Sequence, residues 1–149
     1  MELNLPPQKF NIKKDSAGNF KIFDSLRRKF VALTPEEWVR QNFVSFLIND
    51  KGFPAGLMNN EIALTQNGIS RRCDTLIADR HGNPFMIVEY KAPTIQISQK
   101  VFDQIVRYNM VLRAKYLVVS NGMNHYCCKI NYATNSYSFL TDIPDYDSL

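Results

Sequence analysis

The sequence predicts an α/β (α+β) fold with a mixed central sheet, and three observations lead there. Two segments repeat apolar residues at helical spacing, several short runs read as strands, and the run Phe85-Met86-Ile87-Val88-Glu89-Tyr90-Lys91 is apolar on both faces until Glu89. A strand covered on both sides belongs in the middle of a sheet. An antiparallel meander, then a crossover helix and another strand, requires both kinds of pairing.

Strand-like runs at 10–12 and 20–23 flank Asp15-Ser16-Ala17-Gly18-Asn19, which is turn chemistry, so an N-terminal β-hairpin is expected, extended by 29–33. Thr34 supplies an N-cap hydroxyl, Pro35 a first-turn proline, and Glu36 and Glu37 first-turn acids, the latter available for a capping box. A helix follows over 35–48, with Val39, Phe43, Phe46 and Leu47 on one side, and ends at Asn49-Asp50-Lys51-Gly52. Strands are predicted at 57–64, 72–79 and 84–91, the last two joined by the hairpin-like Arg80-His81-Gly82-Asn83. A second helix over 98–113 leads to a β-branched strand at 116–120, and a turn at Asn121-Gly122-Met123-Asn124 to strands near 125–130 and 137–140. No repeat, low-complexity stretch or linker divides the chain, so residues 1–149 are expected to form one domain: a β extension (1–33), a core (34–120) and a C-terminal hairpin and tail (121–149).

No leader pattern opens the sequence and no apolar run is long enough to span a bilayer, so a cytoplasmic protein without membrane contact is expected. Cys73, Cys127 and Cys128 have neither a disulfide framework nor zinc spacing. The net charge of +4 is compatible with a polyanionic partner; the tail DIPDYDSL is acidic, and Arg27-Arg28-Lys29 and Arg71-Arg72 form basic clusters.

The chemistry concentrates between Arg71 and Lys91. A hairpin centred between His81 and Gly82, with a loop of two or four residues, puts Asp74 opposite Glu89 and Lys91 on the same face as Glu89, with Tyr90 turned away. Two carboxylates so placed repel unless something positive lies between them. A divalent cation answers this. Oxygen ligands without imidazole or thiolate favour Mg²⁺ or Mn²⁺, which polarise a phosphodiester and activate water, while Lys91 could orient that water or stabilise the growing charge.

Asp74, a hairpin and Glu89-x-Lys91 at the end of an apolar strand resemble the D…(D/E)xK signature of the restriction-endonuclease-like superfamily, with its αβββαβ core. More narrowly, TPEEWVRQ, RRCD, VEYKAP, FDQIVRYN and YLVVSNG resemble the N-terminal nuclease domain of type I restriction-enzyme R subunits. That resemblance implies metal-dependent DNA cleavage, with Asp74, Glu89 and Lys91 catalytic and Asp74 and Glu89 holding the metal. It also implies a third carboxylate from the first helix, Glu37 or else Glu36. Gln104 and Tyr108, one helical turn apart, would order the site or contact DNA, and Arg72 would join them. Cys73 stands where the superfamily's name-giving proline would precede Asp74. No G-x-x-x-x-G-K-[ST] loop occurs, so ATP-driven translocation is not expected of this sequence, which would be either a free-standing relative or a partner of other restriction-modification or helicase subunits. His81 and His125 read as structural, and Trp38, Phe43 and Phe46 as core. The rival reading is a non-catalytic nucleic-acid-binding or assembly module on the same fold.

Overall fold

The computed structural model describes residues 1–149, Gln66 for its backbone alone. Among the described residues nine strands form two sheets, accompanied by two α-helices. Strands β1 (Ile12–Lys14), β2 (Phe20–Asp24) and β3 (Lys29–Ala32) make a small antiparallel sheet in that order. A six-stranded sheet runs in the order β4 (Met58–Gln66), β5 (Ile69–Ala78), β6 (Pro84–Tyr90), β7 (Tyr116–Ser120), β8 (His125–Asn131), β9 (Ser136–Phe139). Every neighbouring pair is antiparallel except β6 and β7. Helix α2 (Gln99–Asn109) is the crossover that a parallel pair needs.

Helix α1 (Pro35–Asn49) starts as its sequence prescribes, with the Thr34 hydroxyl accepting the N–H of Glu37 at 3.0 Å. Its apolar side, with Val39, Phe43 and Leu47, packs with Met86, Val88, Tyr90 and Val118 of β6 and β7. Phe102 and Val106 of α2 pack with Ile87, Leu117 and Val119. Alternate residues of β6 and β7 thus enter opposite cores, which explains why both strands are apolar throughout. All five residues of β7 are buried.

Three expected boundaries need correction. The first strand runs over Ile12–Lys14, later than the expected 10–12. The unbroken β4–β5 hairpin turns at Asn67-Gly68, both at positive φ (+52° and +76°), so these strands extend beyond the expected 57–64 and 72–79 toward their shared turn. The second helix stops at Asn109, and residues 110–112 form a 3₁₀ turn.

The small sheet is fastened to the large one by buried polar groups. Asp24, 1% exposed, accepts hydrogen bonds from the backbone N–H of Leu26 (2.7 Å) and Arg27 (2.9 Å) and from the Asn60 amide of β4 (2.9 Å). Burial pushes its carboxyl up, but the Arg27 backbone, the Asn60 amide and the Arg27 guanidinium outweigh that and hold it below the usual value. Among the described residues no helix is long and apolar enough to cross a membrane.

Candidate active site

Strands β5 and β6 set the centre. Thr75 pairs with Val88, Leu76 with Ile87 and Ile77 with Met86, so the next position places Asp74 across from Glu89, where the ladder ends. This is the expected pairing, reached by a different route. Three residues, Arg80, His81 and Gly82, turn the chain between Asp79 and Asn83, with Gly82 at φ +83°. An odd-numbered loop shifts the register by one; a shift between Ile77 and Ala78, where Ala78 pairs with Pro84, restores it. At the open end of the ladder the Tyr90 N–H donates to Asp74 Oδ2 at 2.9 Å.

Glu89 is half-buried, and its Oε1 has neither a hydrogen-bond partner nor contact with solvent. Burial, and next the negative Asp74 beside it, raise its carboxyl far above the usual range; the Asn109 amide and Lys91 oppose the rise without cancelling it. Lys91 follows the strand, its N–H bonded to Ser120 O of β7 at 2.9 Å. Its half-buried side chain forms no ion pair among the described residues. Tyr90 points into the α1-side core, as expected, with its hydroxyl 2.8 Å from Thr75 Oγ1.

Glu37 does not complete this centre. Its Oε1 accepts from Arg27 and Arg40, each at 2.7 Å, and its Oε2 from Gln41 at 2.9 Å, so the first-helix acid expected among the metal ligands is occupied by internal partners. These bonds also keep it from closing a capping box. Glu36 is exposed. Among the described residues no group of three or more His, Cys, Asp or Glu side chains is gathered to hold a metal ion.

Arg40 and Glu61, neither foreseen from the sequence, adjoin the pair instead. Arg40, 6% exposed, bonds Glu61 and Glu37 and places Nη2 at 3.7 Å from Asp74 Oδ1. In the β4–β5 ladder Asn60 pairs with Thr75 and Ile62 with Cys73, which sets Glu61 across from Asp74. Glu61 adopts φ +54°, an uncommon conformation for a residue with a side chain. Burial pushes its carboxyl up, but Arg72 and Arg40 outweigh this and hold it below the usual value. Arg72 is thereby engaged, Nε to Glu61 Oε2 at 2.7 Å.

Tyr108, 45% exposed, lies against β5: Arg71 Nε donates to its carbonyl at 2.9 Å, the Arg71 guanidinium stands 4.5 Å over its ring, and its hydroxyl is 3.5 Å from the Arg72 N–H. Gln104 is exposed and forms no side-chain hydrogen bond among the described residues. His125 is structural, Nδ1 to Ser120 Oγ at 2.7 Å and Nε2 to Asn4 O at 2.8 Å.

The donor set suits a hard cation in one respect. Two adjacent carboxylates, one with a buried and unpartnered oxygen, lack any nitrogen or sulfur ligand beside them; Mg²⁺ is commonly held by one or two carboxylates, with waters and substrate phosphate completing its shell.

Residues 35–144, about three quarters of the chain, match the family described as type I restriction enzyme R protein N terminus. Among solved structures the fold is similar to a fragment described as an HsdR subunit of a type I restriction enzyme from Vibrio vulnificus YJ016, with a TM-score of 0.54 and 22% identity. The alignment covers 77% of this chain and 24% of that one. No match was found among curated proteins.

Proposed function

The chain belongs to the family of type I restriction enzyme R protein N termini, and from that premise we propose that it is a metal-dependent nuclease domain that hydrolyses DNA phosphodiesters. The observation that carries this reading is Glu89, half-buried beside a second carboxylate at the end of an apolar strand with Oε1 buried and unpartnered, and Lys91 two residues on. A charge there is costly without a counter-ion. Asp74 and Glu89 would hold Mg²⁺ or Mn²⁺, which when bound polarises the phosphate and activates water.

The other roles belong to the chain itself. Tyr90 N–H and Arg40 fix Asp74, and the Lys91 ammonium, free of ion pairs among the described residues, can stabilise the charge that grows on the phosphate. Gln104 and Tyr108, exposed on α2, would meet the DNA backbone. Other restriction-modification or helicase subunits would bring DNA to the site.

Linear, circular and single-stranded DNA incubated with Mg²⁺, Mn²⁺ or chelator test the reading. Cleavage should need the cation and disappear in Asp74→Ala, Glu89→Ala and Lys91→Ala. Equal cleavage by the parent and all three folded variants would overturn it. One observation favours the rival, a non-catalytic DNA-binding or assembly module: Arg40 already stands beside Asp74, and Glu37 is occupied. DNA binding without cleavage under every metal condition would select that module.

A further inference from the structure

The family match begins at Pro35, so the three-stranded sheet lies outside it. Residues 1–33 nevertheless hold the whole net charge: seven Lys or Arg against three Asp or Glu, while the remainder carries eleven of each. Asp24 and Arg27 of that segment are spent on each other and on α1 and β4. Lys9, Lys13, Lys14, Arg28 and Lys29 are exposed and Lys21 half-buried, and none is in an ion pair among the described residues.

The pleat sorts this sheet into two faces. Ile22 and Asp24, 0% and 1% exposed, point inward. On the outer face Lys13 pairs across from Lys21, and Phe23 from Phe30, with ring centroids 5.3 Å apart. Lys13 Nζ lies 4.0 Å over the Phe30 ring, and Phe23 is 37% exposed. Phe20, 55% exposed, opens β2 on the opposite face, paired with Lys14, whose Nζ is 5.5 Å from its ring. On the outer face a lysine leaning on a phenyl ring, Lys21 beside it with no carboxylate to take either, and the exposed Phe23 leave both a cationic edge and ring surface open to one ligand.

We propose that this outer face is a platform for single-stranded DNA, with Phe23 stacking on an unpaired base and Lys13 and Lys21 contacting phosphates. Rings that must meet a base face need unpaired nucleotides, whereas lysines alone would accept duplex equally well. The sheet also adjoins the candidate centre. A pocket of about 470 Å³ is shared by Ile12 of β1, Leu33, Trp38 of α1, and Pro93 and Thr94 from the loop that leaves Lys91. Arg27 and Arg40 meet on Glu37, and Arg40 reaches Asp74. The identity of the polyanion as DNA rests on the nuclease reading; the cationic aromatic face does not.

Anisotropy of a labelled oligothymidylate and of a duplex of equal length, with the whole chain in chelator across a salt series, tests the platform. The parent should prefer the single strand. Phe23→Ala should weaken single-strand binding about tenfold and leave duplex binding unchanged, with Phe23→Leu behaving alike if the alanine variant melts early. The double variant Lys13→Gln and Lys21→Gln should flatten the single-strand salt slope by about 1.4, at roughly 0.7 per phosphate contact. Binding in chelator is read without any cleavage, so failure of the nuclease reading and failure of the platform are distinct results. Preference for duplex, displacement by polyglutamate as efficient as by DNA, or unchanged single-strand affinity in the folded phenylalanine and lysine variants would each overturn the proposal.

Discussion

Arg40 Nη2 stands 3.7 Å from Asp74 Oδ1, whereas Glu89, the other half of the carboxylate pair, has no guanidinium or ammonium within ion-pair distance among the described residues. The two acids therefore differ in environment although they face each other. Asp74 is fixed by a backbone N–H and a buried arginine; Glu89 keeps one buried oxygen unpartnered.

Arg40 joins Glu37, Glu61 and Asp74 from a buried position. Arg40→Met should cost about 3 to 5 kcal/mol, because it strands buried charge. Arg40→Lys should not rescue it, since one ammonium cannot reproduce the fork that serves several carboxylates. Denaturant midpoints measure both. A loss below about 1 kcal/mol would mean that the pairs behave like surface ion pairs.

Glu37 has both oxygens bonded within the protein. Glu37→Gln should destabilise by about 1 to 3 kcal/mol, equally in chelator and in Mg²⁺, with metal affinity unchanged. Weakened metal binding at undiminished stability in chelator would return Glu37 to the ligand shell.

Gln104 and Tyr108 separate function from folding. The Tyr108 hydroxyl meets the Arg72 N–H at 3.5 Å, at the limit of a hydrogen bond, and Gln104 is exposed. Tyr108→Phe and Gln104→Ala should each change stability by less than about 0.5 kcal/mol. A clear fall in DNA cleavage would then assign them to the site. Unchanged cleavage in both would remove them from it.

The sequence made the centre legible because Asp74, Glu89 and Lys91 lie on one local hairpin, where counting along two strands decides what faces what. Even there the turn has three residues rather than two or four, and the pairing is kept because the shift at Ile77 and Ala78 offsets it. Local signals also placed α1, through Thr34 and Pro35. Asn67-Gly68 was an available hairpin signal, and reading it would have aligned Glu61 with Asp74. Arg40 was out of reach for another reason. Its partners come from α1, β4 and β5, and only the packed fold brings them to one guanidinium. Glu37 shows the converse, since a free first-turn acid in sequence is captured by Arg27 from the small sheet.

Glu89 gives the last test, and its sign can be worked out. Burial first, and Asp74 second, raise its folded-state pKa above that of an unfolded glutamate. Between those two values the folded chain holds a proton that the unfolded chain has released. This contribution is fully present below the unfolded value and is lost as pH rises toward the folded one, with a slope of at most about 1.4 kcal/mol per pH unit. Glu89→Gln stays neutral throughout, so in chelator it should match the parent at the acidic end of that window and exceed it at the alkaline end. Metal needs the carboxylate, so its binding should displace the proton and tighten as pH rises across the window. The parent should gain about 2.7 kcal/mol when metal is at a hundred times its dissociation constant, and Glu89→Gln should gain nothing. Melts in chelator and in Mg²⁺ over a pH series read the stabilities, and calorimetry in buffers of different ionisation enthalpy reads the proton. If Glu89→Gln is less stable in chelator at every pH and the parent does not respond to metal, Glu89 is a structural acid and the nuclease reading loses its physical basis.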